Sequence, residues 1–111
     1  MAGKFEVYAD RGGKFRFRLK AGNGEVVAQG EGYESKASAH KGCEAVQRAA
    51  AGGGKFEVYE DKSNKFRFRL KAGNGEIVAT GEAYESEPSA HKGTEAVQRA
   101  ADGASIVDVD N

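Results

Sequence analysis

Apolar and polar residues alternate along KFEVY (residues 4–8), with Phe5 and Val7 on one side and Lys4, Glu6 and Tyr8 on the other. They alternate again along KFRFRLKA (residues 14–21). There Phe15, Phe17, Leu19 and Ala21 share one side, and Lys14, Arg16, Arg18 and Lys20 share the other. A period of two marks a half-buried strand, because successive side chains leave a strand on opposite faces. Asn23-Gly24 follows, the strongest short hairpin signal. A two-residue type I′ turn there predicts Leu19 opposite Ala28 on the core side. It sets Lys20, Arg18 and Arg16 opposite Val27, Gln29 and Glu31 on the outer side. The period then changes. Ala39, Gly42, Cys43, Val46 and Ala49 recur at three- and four-residue spacing, which predicts a helix with a narrow apolar stripe. Ser35 stands where an N-cap belongs, since its hydroxyl can accept from an orphan N–H of the first turn. A glycine inside a helix costs about 1 kcal/mol relative to alanine. Close approach of the helix to the sheet over Phe15 and Phe17 is the expected compensation at Gly42.

The whole pattern then repeats with a period of 51. Residues 4–50 and 55–101 align without a gap and agree at 37 of 47 positions. The differences are mild or fall in turns: Arg11, Gly12 and Gly13 become Lys62, Ser63 and Asn64, and Val26 becomes Ile77. Ser86 and Gly93 stand for Ser35 and Gly42, and Pro88 falls in the first turn of the second helix, where a missing N–H costs little. Only AGGG separates the copies, and ~47 residues is near the lower limit for folding alone. The expectation is therefore a single α+β domain over residues 1–111, built from two tandem β-β-β-α repeats related by a pseudo-two-fold axis. A single, mainly antiparallel sheet carries two helices packed on one face. One C-terminal strand (residues 105–109) is left over. SIVDVDN alternates Val107 and Val109 with Asp108 and Asp110. With no counterpart in the first copy, it is expected to pair with the first strand of the other half, near Phe5 to Tyr8, burying Val107 and Val109.

The combination Phe17-Arg18-Leu19-Lys20-Ala21, Asn23-Gly24, Tyr33, Ser35, Ser38, Gly42 and Val46, present in both copies, resembles the YegP-like family of small bacterial and archaeal proteins of unknown function. The resemblance covers nearly the whole chain. It implies β-β-β-α-β units, as tandem repeats or as two subunits, that join into one sheet and exchange their C-terminal strands. The chain departs from that pattern at one point: the first copy runs from its helix through glycines directly into KFEVY. The family offers no catalytic or ligand-binding residues to carry over.

Composition narrows the function classes. Seventeen Lys and Arg balance seventeen Asp and Glu, so no net field steers the molecule towards phosphate or anionic lipid. A single cysteine, Cys43, excludes an internal disulfide and fits a cytoplasmic protein. There is no apolar signal core and no run near the ~20 residues of a membrane span, so no membrane partner is expected. Two complete copies also satisfy the fold internally, which favours a monomer.

Candidate chemistry is sparse. His40 and His91 each precede a glutamate (Glu44, Glu95) by four residues on one helix face, an arrangement able to offer a metal one imidazole and one carboxylate per helix. Solvent-facing side chains explain the same residues. Cys43 is replaced by Thr94 in the second copy, which suits a small packing position better than a reactive thiol. AGNGE lacks the strand-to-helix context of a phosphate loop. No catalytic, cofactor-binding or metal residue is assigned and no cofactor is implied. The remaining surface is the row of cations Lys14, Arg16, Arg18, Lys20, Lys65, Arg67, Arg69 and Lys71 on the face opposite the helices. Eight cations resemble a nucleic-acid or polyanion footprint. The interleaved aromatics point into the core, however, and cannot stack bases. Glu6, Glu25, Glu31, Glu57, Glu76 and Glu82 share the outer face and can neutralise the cations. The sequence thus favours a non-enzymatic interaction module of unidentified partner. A metal-dependent activity and nucleic-acid binding are the alternatives.

Overall fold

The computed structural model describes residues 3–109. The elements run β1 (Lys4–Ala9), β2 (Phe15–Lys20), β3 (Val26–Gln29), α1 (Lys36–Arg48), a π-helical turn (Ala49–Gly53), β4 (Lys55–Glu60), β5 (Phe66–Lys71), β6 (Ile77–Thr80), α2 (Glu87–Ala101) and β7 (Ser105–Asp108). Each half is the expected three-stranded meander followed by a helix. The seven strands form one sheet in the order β4-β5-β6-β3-β2-β1-β7. All pairings are antiparallel except β1 with β7. Halves meet where β3 pairs with β6, at Gln29 opposite Thr80. These two residues are equivalent by the 51-residue offset, so the pseudo-two-fold axis passes between them. Asp110 and Asn111 lie outside the described residues.

The core is one layer between sheet and helices. Phe5, Val7, Phe17, Leu19 and Ala28 are buried on the sheet side, with Ala39, Gly42, Cys43 and Val46 on α1 facing them. Both helices start as expected: the Ser35 hydroxyl accepts from the Ser38 N–H at 3.1 Å, and the Ser86 hydroxyl from the Ser89 N–H at 3.2 Å. Gly42 is required by close approach, but the partner is chiefly Tyr33 rather than Phe15. A Cβ at Gly42 would stand 2.7 Å from Tyr33 Cζ and 3.0 Å from Phe17 Cε2, well inside contact distance. Tyr33 stacks on Phe17 with ring centroids 6.1 Å apart, and Phe5 meets Phe17 edge-on at 5.9 Å. The glycine stripe thus seats each helix on a stacked Phe–Tyr pair, and Gly93, Tyr84 and Phe68 repeat it.

Three local expectations are corrected. Asn23-Gly24 does not form a two-residue type I′ turn. Only Gly24 has positive φ, at 90°, the Gly24 N–H bonds Ala21 O, and the Ala21 N–H bonds Glu25 O. That is a longer turn with a left-handed glycine at its end, held by the Asn23 side chain accepting from the Glu25 N–H. Register follows from it: Arg18 faces Gln29 and Leu19 faces Ala28 as predicted, but a bulge puts Lys20 opposite Val26. Arg16 has no ladder partner at Glu31; its strand instead bridges Phe15 to Tyr33. Finally, β7 runs parallel to β1, with Lys4 to Val7 opposite Ser105 to Asp108, where pairing was expected. Its phase is the reverse of the expected one. Ile106 packs against the core, whereas Val107 is 37% exposed on the outer face. Parallel pairing aligns Ile106 with Phe5, and neighbours in register share a face.

Deleting residues 104–111 removes the β1·β7 ladder and the Ile106 contact, and uncovers Phe5 and Val7. The expected loss is about 2–4 kcal/mol, against a total stability of about 5–10 kcal/mol. An unchanged thermal melt would show that β7 contributes nothing to the fold.

Candidate functional site: the ion-pair face of the sheet

Among the described residues no helix covers the face that carries the alternate residues of β1 and β2, and there cross-strand neighbours decide the chemistry. Glu6 lies directly opposite Arg18. Its Oε1 accepts from Arg18 Nε at 2.7 Å and lies 3.3 Å from Lys20 Nζ, while its Oε2 is 3.5 Å from Lys4 Nζ. One carboxylate therefore gathers three cations. The Arg18 guanidinium also lies over the Tyr8 ring, 4.6 Å from its centroid. Arg16, lacking the expected Glu31, is bound by Asp10 through Nε at 2.7 Å. The other oxygen of Asp10 accepts from the Gly12 and Lys14 N–H groups at 2.9 and 3.0 Å, so the turn between β1 and β2 orients it. Lys14 pairs with Glu34.

The second copy repeats the arrangement. Arg69 and Lys71 meet Glu57 at 2.8 and 3.3 Å, and Arg67 meets Asp61 at 2.7 Å. Lys65 pairs with Glu85, and Arg69 lies 4.7 Å from the Tyr59 centroid. Left-handed backbone is needed in the preceding turn. Gly13 supplies it at φ 82° and Asn64 at φ 64°, asparagine being one of the few side chains that tolerate it. All eight candidate cations are thus ion-paired. Of their expected partners Glu6 and Glu57 make direct pairs, Glu31 and Glu82 act on Arg16 and Arg67 only at longer range, and Glu25 and Glu76 take part in none of these pairs. Asp10, Glu34 and their copies were missed, although Asp10-x-Gly12 is a legible turn that aims a carboxylate back along its strand.

The helix residues do something other than the metal reading expected. His40 Nε2 lies 2.7 Å from Asp108 Oδ1, an acid supplied by β7, and His91 Nε2 lies 3.8 Å from Glu87, one turn before it. Glu44 and Glu95 take part in neither contact. Among the described residues no three His, Cys, Asp or Glu side chains come together as a ligand set. Cys43 is fully buried, and desolvation pushes its thiol up to about 12, as suits a small packing position. Thr94, its counterpart, donates its hydroxyl to His91 O at 2.7 Å.

Equivalent carboxylates differ in depth. The Glu6 side chain is 9% exposed and that of Glu57 is 29%, because β7 covers β1 and nothing described covers β4. The Arg18 hydrogen bond, assisted by Lys20 and opposed by burial, holds the Glu6 carboxyl below the usual carboxylate range. Glu57, Asp10 and Asp61 are lowered chiefly by Arg69, Arg16 and Arg67. Groups lowered on folding stabilise above the unfolded carboxylate range and lose that effect as pH falls. The melting temperature should therefore drop as pH falls below about 4.3, the unfolded glutamate value. Glu6→Gln should lose about 1–3 kcal/mol at neutral pH, more than Glu57→Gln. The gap between wild type and Glu6→Gln should narrow by pH ~3. A gap independent of pH would show that the Glu6 charge does not matter.

Comparison with known proteins agrees with this architecture. A family model described as "Domain of unknown function (DUF1508)" matches residues 10–57 and again 61–108. A UPF0339 protein encoded in the 5′ region of the ptx operon of Stutzerimonas stutzeri is 43% identical over 111 residues, covering all of both chains. A UPF0339 protein of Treponema denticola is 62% identical over 56 residues, half of this chain but 97% of its own, so it corresponds to a single copy. The solution structure of YegP from E. coli superposes with a TM-score of 0.90 at 34% identity, covering 100% of this chain and 96% of that one. A UPF0339 protein of Shewanella oneidensis gives 0.88 at 33% identity, covering 99% and 93%. Matched over both copies by the family model and over its full length by these relatives, the chain belongs to the DUF1508, or YegP-like UPF0339, family of proteins of unknown function.

Proposed function

We propose that the protein is a non-enzymatic interaction module of the cytoplasm whose sheet face receives a protein partner. One observation carries this reading. Both copies hold the same fixed group, an arginine clamped by a carboxylate over a tyrosine ring (Arg18, Glu6 and Tyr8; Arg69, Glu57 and Tyr59), on a face that no helix covers. Arginines and tyrosines already held in place lose little conformational freedom on binding, and both are enriched at protein interfaces. Nucleic acid is disfavoured because affinity for phosphate comes from releasing counterions, and here Arg16, Arg18, Arg67 and Arg69 already have a carboxylate within 2.7–2.8 Å. No helix among the described residues is long and apolar enough to cross a membrane.

Replacing Arg16, Arg18, Arg67 and Arg69 by Ser tests the reading. The buried apolar face is untouched. The three more exposed pairs are worth roughly 0–1 kcal/mol each, and loss of the enclosed Arg18–Glu6 pair costs about 1–3 kcal/mol, so the variant should fold with a clearly lowered melting point. Crosslinking capture from lysate should recover a protein with wild type that the variant fails to hold. Capture by both proteins alike would show that this face does not hold the partner. RNA, single-stranded DNA or heparin binding to wild type at micromolar affinity or better in ~150 mM salt would replace the protein partner with a polyanion.

A further inference from the structure

The repeat makes one edge of the sheet a template for the other. At one edge β7 lies parallel to β1, and at the other β4, the copy of β1, has no outer neighbour among the described residues. Burial records the difference. Phe5 and Val7 are 0% and 1% exposed, whereas their copies Phe56 and Val58 are only partly buried. Val7 O accepts from the Val109 N–H at 2.8 Å, so the backbone groups of Val7 point at β7. A strand's N–H and C=O groups alternate sides residue by residue. The same groups of Phe56 and Val58 therefore point outward at the open edge. A long edge strand with unpaired donors and acceptors and a row of apolar side chains is a template for adding another strand.

We propose that the open edge of β4 docks an extended peptide segment of a partner protein, added parallel to β4. A β-branched apolar residue would lie beside Phe56, and an acidic residue two positions later would lie against His91. β7 defines this chemistry: Ile106 lies opposite Phe5, and Asp108 reaches His40, whose copy is His91. His91 is 58% exposed on α2, while Lys55, 73% exposed at the start of β4, is already paired with Glu57 at 4.0 Å. Glu87 stands where the first copy has Lys36 and lies 3.8 Å from His91, so an incoming acid competes with it. The acid is accordingly the weaker anchor, and the backbone ladder with the apolar residue is the stronger. A second copy of the chain is not the occupant indicated. Its matching strand is committed to its own β1, and moving it would uncover Phe5 and Val7 there. The proposal concerns the edge and stands apart from the reading of the sheet face.

The probe is a synthetic octapeptide of residues 102–109, DGASIVDV, titrated into the isotopically labelled full chain and followed by amide shifts. Saturable shifts should concentrate at residues 55–60 and at His91. Val58→Pro removes an outward N–H without touching the β4·β5 ladder and should weaken binding about tenfold. His91→Ala, or a peptide with Lys in place of the Asp108 residue, should weaken it about threefold, and both serve if Val58→Pro does not fold. No saturable shift at ~1 mM peptide, a concentration already weak for recognition, overturns the proposal. Shifts centred on residues 4–9 would overturn it too, since the peptide would then be displacing β7. Concentration-dependent dimerisation abolished by Val58→Pro overturns it in favour of a second copy.

Discussion

Every strand in a sheet must satisfy two rows of backbone groups, and the described residues supply one terminal strand for two equivalent edges. β7 goes to β1, and the consequences spread inward. With β7 in place, Phe5 and Val7 lose contact with water, Ile106 joins the core, and Glu6 is enclosed to 9% exposure. Enclosed, Glu6 can gather Lys4, Arg18 and Lys20, because in a drier setting a charge-assisted bond is stronger and an unpaired charge more costly. On the other half the same residues stand at an open edge and are held less deeply. Two nearly identical sequences thus acquire different environments from one pairing decision.

Strands, helices, caps and the strand partner of the tail were legible because each rests on local periodicity or on a residue with one dominant use. Alternation placed Phe5, Phe17 and Leu19 inward, and Ser35 and Ser86 could only be caps. What escaped depended on neighbours brought by folding. Asn23-Gly24 is compatible with more than one tight turn, and the choice of a longer one moved Lys20 by one residue against β3. Tyr33 carries no periodic signal, yet it is the ring on which Gly42 sits. In the tail, Ile106 and Val107 are equally apolar, and only the register against Phe5 decides which turns inward. The cation row was legible residue by residue. Its neutralisation was legible only in part, since Asp10 and Glu34 reach it from turns and loops outside the strands.

The asymmetry is also where function can enter a fold whose described residues gather no His, Cys, Asp and Glu ligand set. In the proposed reading the clamped arginines are fixed recognition points, and the open edge adds backbone. The first presents the same motif twice across the pseudo-two-fold axis; the second exists once. A partner that used both would meet one half of the molecule differently from the other, although the halves agree at 37 of 47 positions.

Native-state hydrogen exchange at equivalent amides tests that asymmetry most directly, because it compares the halves within one molecule under identical conditions. The Phe5 and Val7 amides should be strongly protected, and those of Phe56 and Val58 should exchange fast. Amides that face the interior ladders, Glu6 and Glu57, should be protected alike. Equal protection of Val7 and Val58 would mean that both edges are covered, or that neither is, and that the two halves do not differ.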